Sequence, residues 1–300
     1  MGRDYGIGMD YIRLMRSPKL RSPIVLASFA GWNDAGDAAE LAVKHFASSF
    51  GARVFAEIDP DPFFDFTEAR PTARISGGVT EQIKWPSNLF SAASIPRRRH
   101  DLVLLLGTEP HLRWKSFCQQ IVSMAVGINT KLFVMLGAYL ADIPHTQPVL
   151  ITGTGRDLSL LHRLGIMPSE YEGPTGIIGV LQDELERAGI RSISLWAGVP
   201  HYVAQSPSPK AALALVEVSE KILEAKTDIT QLQELSEVYT QRVDELVAAD
   251  EEAAAYVAQL EATAMTSLEE EQEFRKRVGE VSAEQLAAEA EKFLRDNPGQ

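Results

Sequence analysis

Residues 24–50, IVLASFAGWNDAGDAAELAVKHFASSF, contain the pattern that decides the fold. The apolar run Ile24–Phe29 is bounded by a proline and a glycine, and a polar turn separates it from an amphipathic stretch that ends at Phe50. An apolar run of this length is typical of a strand that is buried on both faces of a parallel sheet. The succession of strand, loop and helix therefore predicts one unit of a doubly wound α/β sheet.

The same succession recurs along the chain. Further apolar runs predict strands at 53–58, 102–106, 132–136, 149–152 and 192–197. Amphipathic stretches predict helices at 114–126, 157–164, 175–188 and 210–226. Residues 59–85 interrupt this order with three prolines and the pair Gly77-Gly78, which favour an inserted loop or hairpin.

The net charge of −12 is concentrated at one end of the chain. Residues 228–300 contain 18 acidic and 6 basic side chains, a difference of −12, whereas residues 1–227 contain 23 of each sign. The sequence therefore predicts an α/β core domain over 1–227 and an acidic, all-helical C-terminal extension over 228–300. The acidic balance disfavours nucleic acid as a partner, because its phosphates would be repelled.

The predicted extension carries apolar residues at intervals of seven. They are Leu232, Tyr239, Leu246, Ala253 and Leu260. This repeat is consistent with a helical hairpin against the core domain or with a short coiled coil between subunits. Two candidate capping boxes, which begin at Ser267 and Ser282, predict the start of further helices.

Several familiar chemistries lack their sequence signatures. The single cysteine excludes an internal disulfide and a thiolate zinc cluster, and the six histidines show no metal-binding spacing. Gly153 and Gly155 begin a dinucleotide-binding pattern, but Leu158 stands in the place of its third glycine. The sequence has neither a P-loop nor a nucleophile elbow. We therefore expect no metal and no cofactor.

The sequence also shows no signal for membrane insertion. No apolar run approaches the roughly 18 residues that a spanning helix needs. The first 20 residues lack the apolar core of a signal peptide. Together with the single cysteine, these features predict a cytoplasmic protein without a membrane partner.

Five polar clusters occupy loops of the predicted sheet, where the carboxyl ends of strands form binding sites. We expect them to line a cleft, with Trp32, Asn33, Asp34, Asp37, Glu109, His111, His145, Tyr171, Pro174, Thr175, His201 and Tyr202 as candidate binding residues. The carboxylates could cap the helices that follow them, or they could act in proton transfer. The turn at 173–176 could hold an anion at the start of the next helix.

These clusters, in this order, resemble the proteasome assembly chaperone 2 family in its bacterial branch. The matching stretches are GWNDAGDAAE (31–40), DPFFDFTEARP (61–71), GTEPHLRW (107–114), LGAYLADIPHTQPV (136–149), YEGPTGIIGVL (171–181) and VPHYVAQSPSPKAALALV (199–216). The resemblance implies a three-layer α/β/α sandwich similar to phosphorylase- and hydrolase-like folds, and it implies self-association. Archaeal and eukaryotic relatives bind proteasome subunits as assembly chaperones. The family supplies no catalytic residues.

Three functions remain as alternatives. The leading one is a protein-binding, self-associating assembly factor of unknown client. A proteasome-related protein is one candidate for that client. The expected assembly state is a homo-oligomer, specifically a trimer. The second is a phosphorylase- or hydrolase-like enzyme that acts on a small molecule in the cleft. Its candidate groups are Asp34, Asp37, Glu109, His111, His145 and His201. The third is an architectural oligomer whose acidic extension joins the subunits.

Overall fold

The computed structural model of the chain describes residues 9–264. Its strands are β1 Ile12–Leu14, β2 Ile24–Ala30, β3 Arg53–Ile58, β4 Thr72–Ser76, β5 Val79–Lys84, β6 Asn88–Ser94, β7 Asp101–Thr108, β8 Leu132–Ala141, β9 Ile151–Thr154, β10 Met167–Pro168 and β11 Ser192–Pro200. Its α-helices are α1 Ala38–Ser49, α2 Trp114–Gly127, α3 Leu158–Leu164, α4 Ile177–Arg187, α5 Pro209–Leu223 and α6 Thr230–Ala248. Residues 251–264 are also helical.

Nine strands form one mixed sheet in the order β1-β3-β6-β7-β2-β8-β11-β9-β10. The four central strands, β7, β2, β8 and β11, run parallel. The prediction of a parallel sheet is wrong outside this centre, because β9 runs antiparallel to β11, and β3 and β7 both run antiparallel to β6. Only residues 95–100 connect β6 to β7. A connection this short permits an antiparallel pair and is too short for the crossover that parallel strands need.

The central strands direct alternate residues to two faces, and a layer of helices covers each face. Ile24 and Leu26 of β2 pack in one core with α1, α3 and α5. Val25 and Ala27 of the same strand pack in a second core with α2 and α4. The three-layer α/β/α sandwich is therefore confirmed, and burial on both faces explains why the central strands read as continuous apolar runs.

The interrupted region contains a hairpin, as one of the two readings predicted. Strands β4 and β5 pair in a separate two-stranded sheet, and Gly77 and Gly78 form its turn with φ values of 57° and 80°. Positive φ angles of this kind favour glycine, since a Cβ would crowd the backbone. Strand β6, which follows the hairpin, was not predicted from the sequence.

The chain divides into two compact units, residues 1–244 and 245–300, and the second is described here over 245–264. A helix break at 249–250 separates α6 from the helix at 251–264, and Oδ1 of Asp250 accepts hydrogen bonds from the backbone N–H groups of Glu252 and Ala253. The seven-residue repeat of 232–260 therefore straddles two helices. The predicted capping boxes at Ser267 and Ser282 lie outside the described residues. The domain boundary at residue 228 stays a prediction.

Candidate functional site

A cleft with a volume of about 1200 Å³ opens at the carboxyl end of β2 and β8. Its walls come from the turn after β2, the end of β8, the start of α4 and the segment 167–175. Strands β9 and β11 contribute its floor. Five large apolar side chains in its lining are strongly exposed, namely Trp32, Leu140, Leu150, Met167 and Tyr171. One surface therefore gathers apolar side chains that the two cores leave uncovered.

Asp34 joins the cleft to the start of α1. Its Oδ1 accepts a hydrogen bond from the N–H of Ala39 at 2.7 Å, and its Oδ2 accepts one from the N–H of Glu40 at 2.9 Å. Burial raises the pKa of Asp34 to about 7, although these two N–H groups act in the opposite direction. The prediction that this turn caps the next helix is confirmed for Asp34, and both of its carboxylate oxygens are engaged.

Asn33, the residue before Asp34, is hydrogen-bonded to Glu109. This fully buried side chain donates from Nδ2 to Oε1 of Glu109 at 2.7 Å. The same Oε1 accepts the N–H of Ile177, the first residue of α4, also at 2.7 Å. Glu109 thus supplies the negative charge that the start of α4 favours. The sequence indicated that the turn at 173–176 could hold an anion. At the N–H of Ile177, the carboxylate of Glu109 takes that place.

The segment after β10 forms one edge of the cleft. The hydroxyl of Tyr171 donates to the carbonyl of Pro174 at 3.0 Å. A Cβ at Gly173 would lie 2.6 Å from that hydroxyl, so the Tyr171 ring occupies space that is free because residue 173 is a glycine. The ring itself remains 68% exposed. Tyr171 is therefore held in place while it presents a large apolar surface to the cleft.

The floor of the cleft contains a chain of hydrogen bonds with a fixed direction. Nε1 of Trp196 donates to Oγ of Ser194 at 2.9 Å. Oγ1 of Thr154 donates to Oε1 of Gln182 at 2.7 Å, so the hydroxyl of Ser194 must supply the proton of the 2.6 Å bond between Ser194 and Thr154. These donors are paired with one another and hold β11, β9 and α4 together beneath the cleft.

His145 lies in a second cluster, outside the cleft lining. Tyr202 Oη accepts the backbone N–H of His145 and bonds its Nδ1, both at 2.7 Å. The other ring nitrogen, Nε2, lies 2.9 Å from Oδ1 of Asp244. Lys210 Nζ donates to the carbonyls of His145 and Gln147. This buried imidazole attaches α6 to the loop after β8.

The remaining histidines of the prediction lie on other surfaces. His111 is exposed, its Nδ1 accepts the N–H of Asp65 at 3.2 Å, and its ring contacts the edge of Phe64. His201 is paired with Asp142, with Nδ1 and Oδ1 3.0 Å apart. Neither side chain belongs to the cleft lining.

The structure thus brings together part of the predicted set. The cleft is lined by Trp32, Asp34, Asp37, Tyr171, Pro174 and Thr175. Asn33 and Glu109 lie behind its wall, and the lining does not include His111, His145, His201 or Tyr202. The cleft extends from β2 toward β11 and β9, whereas β7, which precedes His111, lies on the other side of β2. Glu109, the first residue after β7, supports the wall of the cleft from behind, whereas His111, two residues further on, lies outside the lining.

Sequence reasoning missed the residues of the floor. Ser194 and Trp196 alternate within the apolar run of β11, and Thr152 and Thr154 alternate within β9. Polar side chains at alternate positions of an otherwise apolar strand could have indicated a face that is not simply core. That signal could not have shown that the two strands pair with each other.

The charge of the cleft has one sign. Its exposed carboxylates are Asp37 and Glu170, and within residues 9–264 no lysine, arginine or histidine joins the lining. Over the same residues, no group of three or more histidine, cysteine, aspartate or glutamate side chains is placed to hold a metal ion. A search of the described helices for an apolar stretch of membrane-spanning length finds none.

Comparison with known proteins gives a consistent result. The model of the PAC2 family matches residues 28–247. A proteasome-assembly chaperone homologue from Mycobacterium tuberculosis is 40% identical, with 78% of this chain and 99% of that chain covered and a TM-score of 0.73. A PAC2 family protein from Streptomyces avermitilis is 42% identical, with the same coverage and TM-score. The comparison with curated proteins finds no match.

An archaeal structure extends the likeness of the fold. A proteasome activator from Pyrococcus furiosus is 18% identical, with 78% of this chain and 97% of that chain covered and a TM-score of 0.64. At this identity the likeness concerns the fold alone. The family match covers most of the chain, and the two relatives at 40% and 42% identity come from bacteria. The chain therefore belongs to the PAC2 family, in its bacterial branch.

Proposed function

We propose that this chain is a self-associating, protein-binding factor that assists the assembly of a client protein and docks a segment of that client in the cleft. The observation that carries this proposal is the exposure of Trp32 and Tyr171, 63% and 68%, within one cleft. Apolar surface left exposed in this way marks interaction sites. The volume of about 1200 Å³ exceeds the range typical of small-molecule sites, roughly 300–1,000 Å³, and favours a peptide segment.

Membership of the family supports a proteasome-related client. The Mycobacterium tuberculosis relative is a proteasome-assembly chaperone homologue and shares 40% of its residues with this chain.

We include self-association in the proposal and expect a trimer. Sedimentation velocity of the full chain tests the assembly state, and a mass that equals one subunit at micromolar concentration would contradict it.

The contacts of the ionisable groups favour binding over catalysis. Both carboxylate oxygens of Asp34 accept backbone N–H groups, and one oxygen of Glu109 is shared by two donors. Both ring nitrogens of His145 are hydrogen-bonded, away from the cleft. Groups that perform proton transfer must reach the substrate, and these side chains are engaged within the protein.

A site-specific crosslinking experiment tests whether the cleft meets a client. A photoreactive amino acid replaces Trp32 in the full chain, and a matched control carries it at Val126 on α2, which is 55% exposed and outside the cleft. We expect the first position alone to form a crosslink to one protein, identified by mass spectrometry. That protein is then purified, and its assembly rate is measured with the unmodified chain.

The outcome depends on the comparison of the two positions. A client that crosslinks only through position 32, and that assembles faster with the chain than with a Trp32→Ala variant, supports the proposal. Equal crosslinking from both positions would show that contact is not specific to the cleft. An assembly rate that does not change when the chain is added would remove the chaperone role.

A further inference from the structure

We infer that the docked segment is basic, with lysine or arginine side chains set among apolar residues. This inference rests on the proposed function and specifies the chemistry of the partner. The first argument is charge. Asp37 and Glu170 are exposed carboxylates of the cleft lining, and the lining contains no basic side chain in the described part of the chain. A segment with negative charge would be repelled, and a positive one would be attracted.

The second argument comes from the aromatic side chains. Trp32 and Tyr171 are the most exposed of them, and Tyr139 and Trp196 also belong to the lining. The face of an aromatic ring attracts a lysine ammonium or an arginine guanidinium, and the same ring packs against aliphatic side chains. Four aromatic residues together with carboxylates therefore suit a segment that is both apolar and cationic.

The third argument concerns hydrogen bonding. The indole N–H of Trp196 and the hydroxyl protons of Ser194 and Thr154 are already donated along the chain of hydrogen bonds in the floor. The hydroxyl of Tyr171 donates to the carbonyl of Pro174. When they are ionised, the carboxylates of Asp37 and Glu170 accept hydrogen bonds and donate none. A partner that supplies donors, as lysine and arginine do, matches these two carboxylates.

A peptide series tests the inference directly. Three fluorescein-labelled nonapeptides share the sequence Gly-Ser-Leu-X-Leu-X-Leu-Ser-Gly, with lysine, glutamine or glutamate at both X positions. Fluorescence anisotropy with the full chain measures each dissociation constant at 50 mM and at 300 mM salt. We expect the lysine peptide to bind at least tenfold more tightly than the glutamine peptide at low salt, and this advantage to shrink at high salt.

Charge-neutralising variants locate the effect. The double variant Asp37→Asn/Glu170→Gln removes two charges from the cleft, and asparagine still tolerates the positive φ of residue 37. It should weaken the lysine peptide about tenfold and leave the glutamine peptide unchanged, since two exposed ion pairs account for roughly that ratio. The matched control Asp61→Asn/Glu68→Gln neutralises two exposed carboxylates outside the cleft and should change neither affinity.

The results separate this inference from the proposed function. Equal affinity for the lysine and glutamine peptides, or an equal effect of both double variants, would overturn the basic partner. Absence of binding by any peptide at 1 mM would overturn it as well. In each of these cases a client that still crosslinks only through position 32 would keep the proposed function intact.

Discussion

Glu109 is expected to hold the wall of the cleft in place, and its replacement by alanine tests this role. Its Oε1 is the common acceptor of the Asn33 amide and the N–H of Ile177, and both donors belong to fully buried residues. A buried donor without a partner costs about 1–3 kcal/mol, so the loss of both bonds should lower the free energy of unfolding by about 2–6 kcal/mol. Glutamine keeps the acceptor oxygen and loses only the charge.

The experiment compares Glu109→Ala with Glu109→Gln. Urea unfolding followed by tryptophan fluorescence gives the global effect, and the glutamine variant should lose about 1–2 kcal/mol. Hydrogen exchange gives the local effect, because the first turn of α4 should lose protection in the alanine variant. The reasoning would be refuted if the two variants differed by less than about 0.5 kcal/mol and α4 exchanged as in the unmodified chain.

Three further expectations concern the surroundings of the cleft. Because burial raises the pKa of Asp34 to about 7, the native state retains the proton of this carboxyl between pH 4 and 7, whereas the unfolded state loses it. As the pH rises from 4 to 7, the free energy of unfolding should therefore fall by up to about 4 kcal/mol relative to Asp34→Asn, as measured by urea titration at several pH values. Gly176→Ala places a methyl group 2.1 Å from Oδ1 of Asn33 and should lower the melting temperature, whereas Gly127→Ala, in open space on a helix, should not; equal shifts would contradict the clash. Tyr202→Phe removes the hydroxyl that bonds both the backbone N–H and Nδ1 of His145, and hydrogen exchange of α6 should rise; unchanged exchange would argue against that attachment.

The strand and helix that begin the fold were accessible from the sequence because their signals are local. The run Ile24–Phe29 became β2, and the amphipathic stretch after it became α1. Strand β6 was missed for the opposite reason. Its sequence, NLFSAAS, mixes small, polar and apolar residues, and most of them are half-buried. Pairing with β3 and β7 on either side determines that strand more than its own composition does.

The cleft was predicted in part, and the missing part has a physical cause. Trp32 and Asp37 follow the carboxyl end of a predicted strand, where α/β sheets place binding sites, whereas Tyr171 follows β10, which was not predicted. His145 came from a similar loop, yet its ring bonds Asp244, 99 positions further along the chain. No local pattern reports such a partner. Which polar side chain is buried and which is presented depends on long-range packing.

The hydrogen bonds of Glu109 also bear on when the cleft can form while the chain is being synthesised. They join segments 76 and 68 positions apart, and the last of them, α4, ends only at Arg187. Synthesis proceeds from the N-terminus, and contacts between distant segments form late. A truncated or half-finished copy that ends before α4 therefore lacks a complete cleft. Under the proposed function, the chain would engage a client only after most of its own core has been translated.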